Sequence, residues 1–372
     1  MTDQKIGKSR ITRKHKALGI VFTGLGVLLF AYSVRKAGLG EIGGGIRGLG
    51  FGFLIVFALG GVRQAIHAIC WVKSCELPYR LRFRDAFKAR LMGDAVGNIV
   101  PFGVVLSEPS KPMFIRDRIP LMVGISAIAI ENVFYALSVA LFISTGALVL
   151  LLSFPLPKSL RYVSLGALVA VIVIVPVGAL VIRKQWRFIS GALAFAGNRG
   201  IARKVIADGL PRVRTVEDRI YGFYERNHAR FFLILAIEMC FHIAGVAEGY
   251  VTLSFISPVA PTLLTAFILE SVNRVITVVF KFIPLRAGVD EAGTGELSEV
   301  LGFSHPTGVT LAIVRKGRDI CWTAIGVALM VRRGISLRAA ARESETIEEE
   351  IEEGMGSADD SLATVAAGKS GV

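Results

Sequence analysis

The sequence predicts an all-α, polytopic membrane protein with about six transmembrane helices and two oppositely oriented re-entrant segments in an inverted repeat. Three observations carry that prediction. Hydrophobic residues make up 53% of the 372, with 40 glycines and a mean hydropathy of +0.60, too apolar for an ordinary soluble domain. The basic residues behind the net charge of +14 fall in blocks between apolar runs, as the positive-inside rule and anionic headgroups require, and belong to no nucleic-acid reading module. Finally, GNIVPFGVVLSEPSK, from Gly97 to Lys111, is echoed by FIPLRAGVDEAGT, from Phe282 to Thr294: a glutamate follows a proline by seven residues, Pro101 to Glu108 and Pro284 to Glu291. Charge then interrupts an apolar segment at Glu131, thirty residues past Pro101, and at Arg315, thirty-one past Pro284. Broken hydrophobic segments at matching places in two halves point to a translocation site.

Residues 1–16 form a basic tail before an apolar run over 17–34 that is long enough to span and longer than a signal-peptide core, so the tail is expected in the cytoplasm. A short glycine-rich connection leads to a second span over 49–72, which returns to a basic cytoplasmic side. The segment 86–106 has cytoplasmic signatures on both flanks, so it is expected to dip into the membrane and turn back near Pro101 and Gly103. A third span begins near 119 and ends before Pro155, and a fourth covers 160–182. The basic connection 183–230 follows, its part 213–224 spaced either for an amphipathic helix on an anionic leaflet or for a solvated hairpin. A fifth span over 231–256 runs outward, a second broken segment covers 263–283, and 285–306, with one basic residue against four acidic ones, reads as external. A last span over 307–331 returns the chain, and the acidic residues 334–372 read as a disordered cytoplasmic tail. The transmembrane domain is thus 17–333, its repeat units about 49–152 and 231–331.

Ionisable groups inside a bilayer are unfavourable unless paired or hydrated, so each needs a reason. Glu131 and Arg315 are expected to meet as an intramembrane charge pair, either functional or holding helices together. Glu108 and Glu291 lie at the turns of the dips, where a carboxylate binds or repels a headgroup, carries a coupling proton, or caps a following helix. Asn98, Asn273, Arg274 and Lys111 lie close by, and the two cations read as phosphate contacts or as snorkelling side chains. Glu238 and His242, four residues apart, have the spacing of a proton relay and equally of a satisfied polar spot in a bundle. Cys70, Cys75, Cys240 and Cys321 have no zinc spacing, and no nucleophile elbow, phosphate-binding glycine loop or histidine-rich metal motif is present, so neither cofactor, metal nor enzymatic activity is expected.

These residues resemble the flippase-like transmembrane domain of lysylphosphatidylglycerol synthases and their stand-alone relatives, including the hopanoid-associated branch. The family's proline, Gly-Glu pair and nearby basic residue are matched by Pro101, Glu108 and Lys111, with Ser107 in place of the glycine. Its proline and glycines leading to Gly-Val-x-Glu are matched by Pro284, Gly288, Val289 and Glu291, with Leu285, Arg286 and Ala287 in place of a more glycine-rich turn. An arginine of the last span matches Arg315 or Arg318. The resemblance implies an integral inner-membrane protein of a bacterium or archaeon that moves an amphipathic lipid, phosphate-bearing or hopanoid-like, between leaflets. It also implies membrane lipids as partners. The synthases' aminoacyl-transfer domain does not follow the membrane region here, so the chain is not expected to make the lipid. The alternatives are a secondary transporter of a small soluble solute and a non-transporting membrane partner of a lipid or glycan biosynthetic enzyme.

Overall fold

The computed structural model describes residues 28–99, 103–154, 158–183, 214, 217–219, 221–223, 226–281, 283 and 286–334. The described residues are helical apart from short connections, and no strand occurs among them. After a helical stretch over 28–37, the helices are α1 Leu39–Leu49, α2 Gly52–Ser74, α3 Phe83–Ile99, α4 Gly103–Met113, α5 Leu121–Ser153, α6 Lys158–Arg183, α7 His228–Ile256, α8 Leu263–Val279, α9 Val289–Val300 and α10 His305–Arg332. The basic tail 1–16, Pro101, Pro284, most of 183–230 and the acidic tail from 335 onward lie outside the described residues.

Among the described residues, three stretches are long and apolar enough to cross a membrane: α2, α5 and residues Ala229–Ile256 of α7. At 33 residues, α5 is about 50 Å long, more than the roughly 30 Å of a hydrocarbon core. By contrast α3 and α8, 17 residues each, reach only about 26 Å, and α4 and α9 less. Both short pairs stand where the sequence breaks. The first interruption falls between Ile99 and Gly103, and the second follows Val279.

Helix lengths recur in order. A run of 23, 17, 11 and 33 residues (α2 to α5) is followed by one of 29, 17, 12 and 28 (α7 to α10). Packing recurs too: α3 lies against α4 and α10, as α8 lies against α9 and α5. Two apolar cores occupy opposite ends of the long helices. One joins Trp71 of α2, Met92 of α3, Val123 of α5 and Met330 of α10, whereas the other joins Leu150 of α5, Leu253 of α7, Leu269 of α8, Leu297 of α9 and Leu311 of α10. Helix α5 begins in the first core and ends in the second, and α10 runs the other way.

The expected glycine-rich connection before the second span is instead the helix α1. Glycine is a poor helix former, but here the missing side chains permit contact. Gly45 lies against Thr310, and Gly48 against the backbone oxygen of Phe255, while Ile42 and Leu49 are buried. The stretch 285–306, expected as an external connection, is likewise mostly helix among its described residues, as α9. In 213–224, the described residues 217–219 and 221–223 are helical, and Phe223 is buried against Phe134 at 6.0 Å between ring centroids.

Candidate functional site

Helices α2, α3, α4, α5, α7, α8 and α10 all contribute to one polar cavity of about 340 Å³ between the two four-helix runs. Seven cationic side chains line it: Arg63, Arg90, Lys111, Arg274, Lys281, Arg286 and Arg318. Only three carboxylates, Asp94, Glu108 and Asp319, share the wall. Gln64, Asn98, Asn132 and Thr323 add neutral polar groups, while Tyr135, Phe241 and Trp322 add aromatic surface.

Buried arginines need fixed acceptors, and these stand behind the wall. Arg63 donates to Glu248 at 3.0 Å and to Glu270 at 3.4 Å. Glu270 also accepts from Arg274 at 2.6 Å and from Arg315 at 2.9 Å, so three guanidinium groups share one carboxylate. Arg318 pairs with Glu248 and, at 2.6 Å, with Asp319. Phe241 lies under two of the cations, 4.3 Å from Arg63 and 5.3 Å from Arg274. The buried Nε of Arg274 has no protein acceptor. Trp322 stacks on Phe57 at 4.7 Å and donates to its backbone oxygen at 3.1 Å, which holds the opposite wall.

In the first run, Lys111 is buried and donates to Glu108 at 2.6 Å while lying 3.0 Å from Asp94. Asn132 donates to the other oxygen of Glu108 at 3.0 Å. Room for Lys111 comes from Gly93, where an added Cβ would collide with the lysine side chain. Arg90 donates to Gln64 at 3.3 Å and to Glu131 at 3.2 Å. The same oxygen of Glu131 lies 2.9 Å from Nδ1 of His67, which is 3.3 Å from Glu238. His67, Glu131 and Glu238 bring metal-ligand atoms within 4.8 Å of one another. The guanidinium of Arg90 on the shared oxygen already supplies a fixed positive charge, which disfavours a divalent ion there.

The expected pairing of Glu131 with Arg315 is not the one formed. Each binds the short helix of its own run: Glu131 takes Arg90 of α3, and Arg315 takes Glu270 of α8. Their equivalence does hold, since each is the eleventh residue of its long helix. Arg90 and Glu270 are both the eighth residue of a 17-residue helix, and Asp94 and Arg274 both the twelfth. The joint between short and long helix therefore carries exchanged charges in the two runs, whereas Asp94 pairs with Lys111 of α4 and Arg274 with Glu270 of its own helix. The expected relay is also divided. Glu238 faces His67, whereas Nε2 of His242 lies 3.1 Å from the hydroxyl of Ser138.

Of the other sequence candidates, Asn98, Glu108, Lys111 and Arg274 line the cavity, and Asn98 donates to Thr323 at 2.9 Å. Asn273 is buried on α8, outside the cavity wall. Glu291, also outside the wall, accepts from the backbone N–H of Gly288 at 2.8 Å, closing the N-terminus of α9, and pairs with Lys316. Gly288 takes φ +82°, a conformation that favours glycine, and Arg286 takes φ +48° without that freedom. Unforeseen at the site were Arg63, His67, Arg90 and Asp94, while Arg318 was one of the two arginines of the last span to which the resemblance pointed. Arg63 and His67 are a turn apart inside an apolar run, a signal as strong as that of Glu131.

Compared with known proteins, residues 16–326 match a family model described as the lysylphosphatidylglycerol synthase TM region. No curated protein and no solved structure matches the chain.

Proposed function

The chain belongs to the lysylphosphatidylglycerol synthase transmembrane family and is an integral membrane protein, and from that premise we propose that it moves an amphipathic, phosphate-bearing lipid between leaflets without altering it covalently. The observation that carries this reading is the cavity wall, with seven cations to three carboxylates among the described residues. Guanidinium and ammonium groups suit an oxygen-rich anion such as a phosphodiester. The acyl chains stay in the bilayer, and the headgroup alone enters the cavity.

Alternating access supplies the mechanism. In this reading α3–α4 and α8–α9 are re-entrant pairs entering from opposite sides, the first cytoplasmic and the second external, in an inverted repeat. Support comes from the opposed directions of α5 and α10, the recurring helix lengths and the charge-exchanged joint. In the same reading the flanks of α3 and both termini are cytoplasmic and the membrane is the inner one, with the basic segments around α3 in support of the orientation.

Transbilayer exchange tests the proposal. Vesicles reconstituted with the full chain and carrying phosphatidylglycerol labelled on one acyl chain should show faster loss of inner-leaflet label to an external quencher than protein-free vesicles. The double variant Lys281→Ala, Arg286→Ala should slow that exchange. Equal rates with and without the protein, for this lipid and for isoprenoid phosphates, would refute it.

A further inference from the structure

The cluster of His67, Glu131 and Glu238 has no role in holding a headgroup, and its charges do not balance. Glu131 and Glu238 are fully buried, and one oxygen of each has no hydrogen-bond partner. The unpaired oxygen of Glu238 lies 3.3 Å from Nδ1 of His67, the same nitrogen that faces Glu131 at 2.9 Å. One N–H cannot satisfy two carboxylates. With a neutral imidazole, two negative charges face the single positive charge of Arg90, and a buried net charge is strongly disfavoured. One additional proton restores balance.

Neighbouring groups do not supply that proton. Asp94 and Glu108 are held by Lys111, and Glu108 by Asn132 as well. Tyr135 meets the imidazole edge-on at 5.0 Å, and the neutral thiol of Cys70 donates to the backbone oxygen of Ile234 and also faces Glu238, adding a donor but no charge. Arg63, one turn before His67, is committed to Glu248 and Glu270.

We infer that His67, Glu131 and Glu238 form a proton-binding site coupled to anion binding in the cavity through Arg90. The inference rests on the cavity being an anion site. Arg90 both lines the cavity and holds Glu131, so it is the shared element. An anion in the cavity draws the guanidinium charge away from Glu131, so the two carboxylates hold their shared proton up to a higher pH and regain it from cavity water where it has been lost. His67, which lines the wall, is the entry point. When the anion leaves, Arg90 returns to Glu131 and the proton is released at a lower pH. By linkage, each ligand strengthens the other. A lipid carried with a proton would draw on the transmembrane proton gradient.

Short-chain phosphatidylglycerol is a suitable probe, because its phosphodiester keeps one charge between pH 5.5 and 8.5. Its affinity for the full-length protein should fall as pH rises, approaching about tenfold per pH unit where one proton is fully coupled. Glu238→Gln, which alters no wall residue, should bind the probe with a flattened pH dependence, and Glu131→Gln provides a second variant. Calorimetry in buffers of different ionisation enthalpy should show proton uptake by the wild type on binding. Binding without pH dependence or proton uptake would overturn the proton site and leave the anion cavity standing. A wild-type slope retained in both variants would do the same. No binding at any pH would overturn both readings.

Discussion

Arg90 donates to Glu131 at 3.2 Å, joining the first short helix to the long helix that follows it. In the second run the same two positions hold Glu270 and Arg315, 2.9 Å apart, with the charges exchanged. A fold that accepts both polarities at one joint should tolerate an exchange. Arg90→Glu or Glu131→Arg alone should destabilise the protein by roughly 3–5 kcal/mol, because each leaves buried like charges facing. The double exchange should recover part of that loss in thermal melts, short of full recovery because Asp94 adjoins position 90. A double variant no more stable than either single variant would contradict the equivalence.

Contact between the runs depends on Gly326. A Cβ there would strike the backbone oxygen of Leu91 and the side chain of Ala95, and backbone cannot rotate away. Gly326→Ala should therefore destabilise by about 1–3 kcal/mol, the range for overpacking. Gly166→Ala is the control, since nothing lies within 4 Å of its Cβ position, and it should be neutral or slightly stabilising. Melting temperatures of the two variants in one detergent make the comparison.

Arg286 has a φ of +48°, a conformation glycine adopts freely. Arg286→Gly should be more stable than Arg286→Ala by about 1 kcal/mol, because alanine keeps the left-handed strain. Both remove a cavity cation, so both should weaken anion binding alike. Equal stabilities would show that position 286 bears no backbone strain.

Glu291 closes the N-terminus of α9 and holds Lys316, outside the cavity wall. Glu291→Gln should lower the melting temperature, because a partly buried lysine loses its closest carboxylate, and should leave bound lipid unchanged. Loss of lipid at unchanged stability would instead make Glu291 a headgroup contact.

Much of the architecture was legible because charge bounds each apolar run. The expected spans at 231–256 and 307–331 lie within three residues of α7 and α10, and both interruptions fall beside the prolines that suggested them. Helix α1 escaped notice because its glycines read as a connection, whereas close approach to α7 and α10 is what they provide. Glu131 and Arg315 were recognised as equivalent but expected as partners. Spacing along a chain reveals which positions correspond, and only packing decides which ones touch. The same limit separated Glu238 from His67, which stand on different helices, while Arg63 and His67 carried a sequence signal that was not weighed.

The most direct test of the central claim is native mass spectrometry of lipids retained by the wild type and by the double variant Lys281→Ala, Arg286→Ala. The cationic cavity predicts that the wild type is enriched in one phosphate-bearing lipid class over its share of the membrane, and that the double variant loses this enrichment. Bulk lipid in bulk proportions in both samples would contradict a headgroup site between the two runs.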